Sequence, residues 1–193
     1  MAGNGRGTGG KAGIYLFWAL LALPGLWLTY ERFVTDAKHA YVPLSGEIAA
    51  VLLFVTLMVT PLMLLLGPLP WLKARRRNLG VASFLYTLLH LLFWVVNANL
   101  AGIARSFTRP EIATGWVAGA IMLALAWTST DAAVRRMGPG WKRLQRWVYP
   151  AAILTFIHWA TTDGLAPALL WSLPLILLSV WRIIRARRRY GGA

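Results

Sequence analysis

Two histidines, His90 and His158, are the residues of this chain whose type and placement can do chemistry. Both lie inside long apolar runs, where a polar side chain is costly and marks function by default. His90 stands twelve residues after Asn78 and His158 twelve residues after Arg146, each counted from a basic loop. At 1.5 Å per residue both imidazoles lie about 18 Å from the same end of their helices. Equal depth is what one flat ligand gripped from two helices requires. The face of His90 carries Ser83, Tyr86, Thr87, Trp94 and Asn97, and the opposite face carries Leu85, Leu88, Leu89, Leu92 and Val96. The face of His158 carries Ala151, Leu154, Thr155, Thr161 and Thr162. Both stripes are expected to point into a bundle, with the leucine side toward lipid. The alternative for each histidine is a packing polar, hydrogen-bonded across helices for about 1 kcal/mol.

The rest of the composition narrows the ligand. The chain has no cysteine. Thiolate metal sites, iron–sulfur clusters, disulfides and cysteine nucleophiles are therefore excluded. Its six carboxylates are Glu31, Asp36, Glu47, Glu111, Asp131 and Asp163, and none sits in the middle of an apolar run. Two histidines alone are too few for structural zinc. They suit the two axial positions of a haem iron, which then has no open site and carries electrons rather than substrate. The hydroxyls of Thr87, Thr155 and Thr162 are candidate partners for the imidazoles. Arg105 and Arg109 are candidate partners for the propionates. His39 falls in a loop and is unremarkable.

These residues need helices that cross a membrane to position them. Of 193 residues, 58% are hydrophobic and only 13% charged, yet the net charge is +14. That combination fits apolar spans separated by basic loops. Six runs approach the ~20 residues that cross ~30 Å of hydrocarbon. They are 14–33, 44–66, 79–97, 112–130, 147–162 and 165–184, the fifth being short unless an amphipathic lead-in from Trp141 precedes it. Residues 1–13 read as a disordered Gly-rich tail and 185–193 as a basic tail. A cleaved signal peptide is the rival reading of the first run. Pro24, Pro61 and Pro174 predict kinks, and Pro150 either opens or bends its helix. No internal repeat is evident. Sixteen Lys and Arg residues collect on one side of this topology and four on the other, so both termini are expected to be cytoplasmic. The basic clusters suit lipid headgroups or an acidic partner. Each abuts a span, which argues against nucleic acid. Trp71, Trp141, Trp147 and Trp171 fit an interfacial belt, while Trp94 and Trp159 lie deeper.

Several strings resemble a known family. They are Thr128-Ser129-Thr130-Asp131, Val134-Arg135-Arg136, Gly138 and Trp141-Lys142-Arg143-Leu144. Thr60-Pro61-Leu62, Arg76-Arg77 with Leu79-Gly80, Tyr86 with His90, Val148-Tyr149 and His158 follow in consistent order. Together they resemble the MsrQ (YedZ) family of ferric-reductase-like membrane domains. The resemblance implies a haem-b electron-transfer subunit of an oxidoreductase system, rather than a stand-alone catalyst, in the bacterial inner membrane. It implies His90 and His158 as axial ligands. The expected acceptor is a periplasmic molybdenum-containing methionine sulfoxide reductase. The expected donor is quinol or a cytoplasmic flavin reductase, with flavin such as FMN as a further cofactor in some members. The rivals are a self-contained ferric-chelate or quinone reductase and a cofactor-free anchor.

One position departs from the family. Where members carry a histidine in an Arg-Leu-His-Arg setting, this chain has Gln145, within Arg143-Leu144-Gln145-Arg146. Glutamine is a poor haem ligand, so one haem is expected. Either quinol enters near it, or flavin occupies an inner site whose phosphate meets Arg76, Arg77, Gln145 and Arg146. A haem-to-protein ratio of one in the purified protein is the predicted outcome. A ratio of two would overturn the reading of Gln145.

Overall fold

The computed structural model describes residues 9–35 and 41–190. Asp36, Lys38 and His39 lie outside the described residues, as do residues 1–8 of the expected tail and 191–193. The described chain is all helical: α1 Gly9–Phe33, α2 Tyr41–Leu66, α3 Pro70–Asn97, α4 Leu100–Ser106, α5 Pro110–Trp127, α6 Asp131–Met137, α7 Pro139–Gln145, α8 Val148–Thr162 and α9 Leu165–Tyr190. It divides into a unit through Tyr41, built on α1, and a unit from Val42 onward. In the first unit the helix begins at Gly9, ahead of the expected start at Ile14, and carries Pro24 within it.

Among the described residues five helices are long and apolar enough to cross a membrane: Lys11–Phe33, Tyr41–Leu66, Pro70–Asn97, Pro110–Trp127 and Leu165–Arg188. The fifth expected span, α8, has 15 residues, about 22 Å at 1.5 Å per residue. Its lead-in is the separate helix α7, which ends at Gln145 before the chain turns at Arg146 and Trp147. Pro150 sits in the first turn of α8, where its missing N–H costs no helical bond. It opens the helix rather than bending it. In contrast α3 and α9 run to 28 and 26 residues. Lys73, Arg75, Arg76 and Arg77 are helical in α3, and Arg185, Arg187 and Arg188 continue α9 rather than forming a separate tail.

The second unit packs α2, α3, α5, α8 and α9 around a core of Leu53, Phe54, Leu57, Phe84, Met122 and Trp159. Small residues let backbones approach, as in membrane bundles generally. Ala151 is fully buried, and the buried Ser83 hydroxyl donates to Ala49 O of α2 at 2.7 Å. Leu85, Leu88, Leu92 and Val96 of α3 are exposed, while Ser83 and Tyr86 are buried, as the striping of this helix predicts.

One end of this unit collects helix C-termini, and cations and donors satisfy their carbonyls. Arg185 donates to Leu64 O of α2 at 2.6 Å. Gln145 donates to Leu125 O of α5 at 3.2 Å, and the Trp141 indole N–H to Thr128 O at 2.9 Å. Between α6 and α7, Gly138 adopts φ +52°, a conformation that side chains disfavour. Thr130 caps α6 by accepting from Ala133 N at 3.1 Å, a cap worth about 1 kcal/mol. Asp131 then accepts a hydrogen bond from Arg77 of α3. That hydrogen bond and the guanidinium charge hold the Asp131 carboxyl below the usual carboxylate range. A depressed pKa gives stability that is present above the unfolded carboxyl value, about 3.9. That stability is lost as pH falls through the folded value. Asp131→Asn is therefore predicted to melt slightly below the parent protein in detergent at pH 7. The gap should close as pH falls below about 4. Equal melting at pH 7 would show that the pair contributes nothing.

Candidate functional site

The opposite end of the second unit holds the histidines. There α2 and α5 begin, while α3 and α8 approach their ends. The imidazole centroids of His90 and His158 stand 6.4 Å apart, with their planes at 81°. Each ring is anchored from behind. His90 Nδ1 lies 2.8 Å from Val42 O in the first turn of α2. His158 Nδ1 lies 2.8 Å from Glu111 O in the first turn of α5. A carbonyl only accepts, so each neutral ring carries its proton on Nδ1 and leaves the Nε2 lone pair free. Metal-bound histidines are usually oriented in this way, with the far nitrogen donating to a carbonyl or carboxylate.

The spacing suits one metal between the rings. An imidazole nitrogen binds a metal at about 2 Å, and the ring centroid lies about 1 Å farther back. Two imidazoles on opposite sides of one metal therefore hold their centroids about 6 Å apart. The observed separation matches this.

Two glycines make the arrangement possible. A Cβ at Gly46 would lie 2.9 Å from His90 Nδ1, and one at Gly115 would lie 2.9 Å from His158 Nδ1 and Cε1. Any side chain there would push the ring off its carbonyl.

The rings face a cavity of about 520 Å³ walled by α2, α3, α5 and α8. That volume is in the range of small-molecule and cofactor sites. Leu53, Phe84, Met122 and Leu123 make it apolar, while Thr87, Thr155, Thr162 and Asp163 supply its other polar groups. Trp94 and Trp159 both line it. Among the described residues no three His, Asp or Glu side chains group as a metal site.

The structure places the other expected residues as follows. Thr87 and Thr162 line the cavity, but their hydroxyls donate to Ser83 O at 3.0 Å and His158 O at 2.9 Å within their own helices. The expected threonine partners of the imidazoles are thus replaced by two main-chain carbonyls, which present a fixed acceptor at the ring edge. Thr155 also lines the cavity. Tyr86 is buried and does not line it. Arg105 and Arg109 are exposed and outside its wall. Nor do Arg76, Arg77, Gln145 and Arg146 line it. Arg76 donates to Thr56 O at 3.1 Å, Arg77 pairs with Asp131, and Gln145 reaches Leu125 O and Thr128 Oγ1.

Sequence reasoning missed Gly46 and Gly115 and the carbonyls of Val42 and Glu111. A signal for them exists. Ser45-Gly46 with Ala49 recurs 69 positions later as Thr114-Gly115 with Ala118. Thr87 with His90 recurs 68 positions later as Thr155 with His158. These matches are too few to stand out against the apolar background.

Residues 45–156 match the family described as ferric reductase like transmembrane component. The protein-methionine-sulfoxide reductase heme-binding subunit MsrQ of Cronobacter sakazakii is 35% identical, covering 86% of this chain and 88% of its own. The MsrQ of Azospira oryzae is 36% identical over 94% of this chain and 81% of its own. That of Bordetella pertussis is 38% identical over 77% and 76%. No solved structure matches significantly. Most of the chain is thus covered by relatives of one kind, and it belongs to the MsrQ family of ferric-reductase-like transmembrane proteins.

Proposed function

We propose that this chain is the haem-b-binding membrane subunit of a protein-methionine-sulfoxide reductase system and relays electrons through one haem held by His90 and His158. The observation that carries the reading is the pair of imidazoles 6.4 Å apart, each turned by a carbonyl on its Nδ1. Bound haem would supply one-electron transfer, and His90 and His158 are the residues that would hold it. The chain supplies the two ligands, the apolar wall and the polar rim of Thr162 and Asp163. The curated relatives are named as heme-binding subunits of this reductase system, which supports the same assignment.

In this reading all six apolar runs span the inner membrane, α8 with α7 as its lead-in, and both termini are cytoplasmic. The basic helix ends then lie at the cytoplasmic face, against anionic lipid. A haem held by His90 and His158 would then lie in the outer half, on the side of a periplasmic molybdenum-containing reductase as acceptor. Trp94 and Trp116 line the cavity in an edge-to-face pair at 6.2 Å, and Phe107 stacks on Trp116 at 4.8 Å and is exposed. These rings form a packed path from the cavity to an exposed edge of the protein. The donor is quinol in preference to a flavin reductase with FMN at the inner site. Arg76, Arg77 and Gln145, three of the four groups for a flavin phosphate, are already engaged within the chain.

A cofactor-free anchor is the competing reading, favoured by the cross-helix hydrogen bond that each histidine makes. Colour separates the two. Protein expressed with adequate haem should show a Soret band and sharp visible bands on reduction, and His90→Ala or His158→Ala should abolish them. A colourless parent protein would overturn the haem reading. Gly46→Ala and Gly115→Ala should each lower haem occupancy at least several-fold, because the new methyl meets the ring. Gly140→Ala, which meets nothing within 4 Å, should leave it unchanged. Full occupancy in the first two would show that the glycines do not seat the rings.

A further inference from the structure

Each ring's carbonyl carries more donors than its two lone pairs hold comfortably. In an α-helix the carbonyl of residue i accepts from the N–H of residue i+4, which is Gly46 for Val42 and Gly115 for Glu111. A hydroxyl three residues on also donates. Ser45 Oγ lies 2.8 Å from Val42 O, and Thr114 Oγ1 lies 2.8 Å from Glu111 O. The imidazole Nδ1–H is the third donor in both cases, at 2.8 Å. Ser45 is fully buried and its Oγ also stands 3.5 Å from His90 Nδ1. The glycine at i+4 leaves the side of the carbonyl open to the ring. The same construction, carbonyl, hydroxyl at i+3, glycine at i+4 and imidazole, thus appears twice, on α2 with α3 and on α5 with α8.

We propose that Ser45 and Thr114 are equivalent positioning residues that set the reduction potential of the haem by sharing the carbonyl that holds each axial imidazole. The inference rests on the haem reading above. A carbonyl that also accepts a hydroxyl proton has less electron density for the Nδ1–H bond. The imidazole is then less basic and donates less to the iron. Removing the hydroxyl leaves the carbonyl to the ring, strengthens the Nδ1–H bond and raises ligand basicity. A more basic axial ligand favours the oxidised iron, so the potential falls. The ring stays in place, because the glycine and the carbonyl that seat it are untouched.

The test is a redox titration of the visible haem bands in the full-length protein in detergent, with the haem count taken on the same samples. Ser45→Ala and Thr114→Val remove one hydroxyl each, Ser45→Thr and Thr114→Ser keep it, and a fifth variant combines the two removals. The expected result is unchanged haem content and a lower potential in both single removals. The oxidised-to-reduced ratio at fixed ambient potential should rise several-fold, up to about tenfold, or about 59 mV for one electron. The double removal should give a larger shift, and the hydroxyl-keeping variants should stay close to the parent protein. Unchanged or raised potentials in both removals would overturn the inference while leaving the haem reading intact. Haem lost on removal but kept in the matched hydroxyl variants would also overturn it, since the hydroxyl would then hold the seat. A parent protein without haem would overturn the underlying reading instead.

Discussion

The site depends on one interaction made twice: an imidazole on one helix donating to a carbonyl in the first turn of its neighbour. The bond from His90 to Val42 O joins α3 to α2, and the bond from His158 to Glu111 O joins α8 to α5. Each fixes a tautomer, a ring direction and the approach of two helices at once. The approach is closer than most side chains permit, so Gly46 and Gly115 stand at the contact. The cavity follows from the same geometry, since rings held from behind cannot fill the space in front of them.

The two ends of this helical unit do different work. At the histidine end the first turns of α2 and α5 expose carbonyls to the rings. At the other end Arg185, Gln145 and Trp141 satisfy the last carbonyls of α2 and α5. The polar groups there are committed to structure, which bears on donor choice. A flavin phosphate would have to compete with Asp131 for Arg77 and with a main-chain carbonyl for Arg76. A quinol makes no such demand.

Much of this was legible from residue types. One intramembrane histidine fits a packing polar equally well, and it is two at equal depth that predict the meeting of the rings. The polar stripe of Ser83, Tyr86 and Thr87 against Leu85, Leu88 and Leu92 follows from helical periodicity. The partners of the histidines were not legible, because main-chain carbonyls have no signature in sequence. Gly46 and Gly115 look like any membrane glycine until their rings are known. The threonines were natural candidates for those partners, yet a threonine inside a helix is best satisfied by a carbonyl three or four residues back. The shortness of α8 was legible in its apolar run, whereas the turn at Arg146 and Trp147 that separates it from its lead-in α7 was not.

The central claim is that His90 and His158, whose ring planes cross at 81°, would together hold one haem. Electron paramagnetic resonance of the oxidised, haem-loaded protein tests it most directly, because it reports both the axial ligands and the angle between their rings. The account predicts a low-spin ferric signal of the strongly anisotropic kind that crossed imidazole planes produce, lost when either histidine is replaced. A high-spin signal from the parent protein, showing an axial position without a strong ligand, would contradict it.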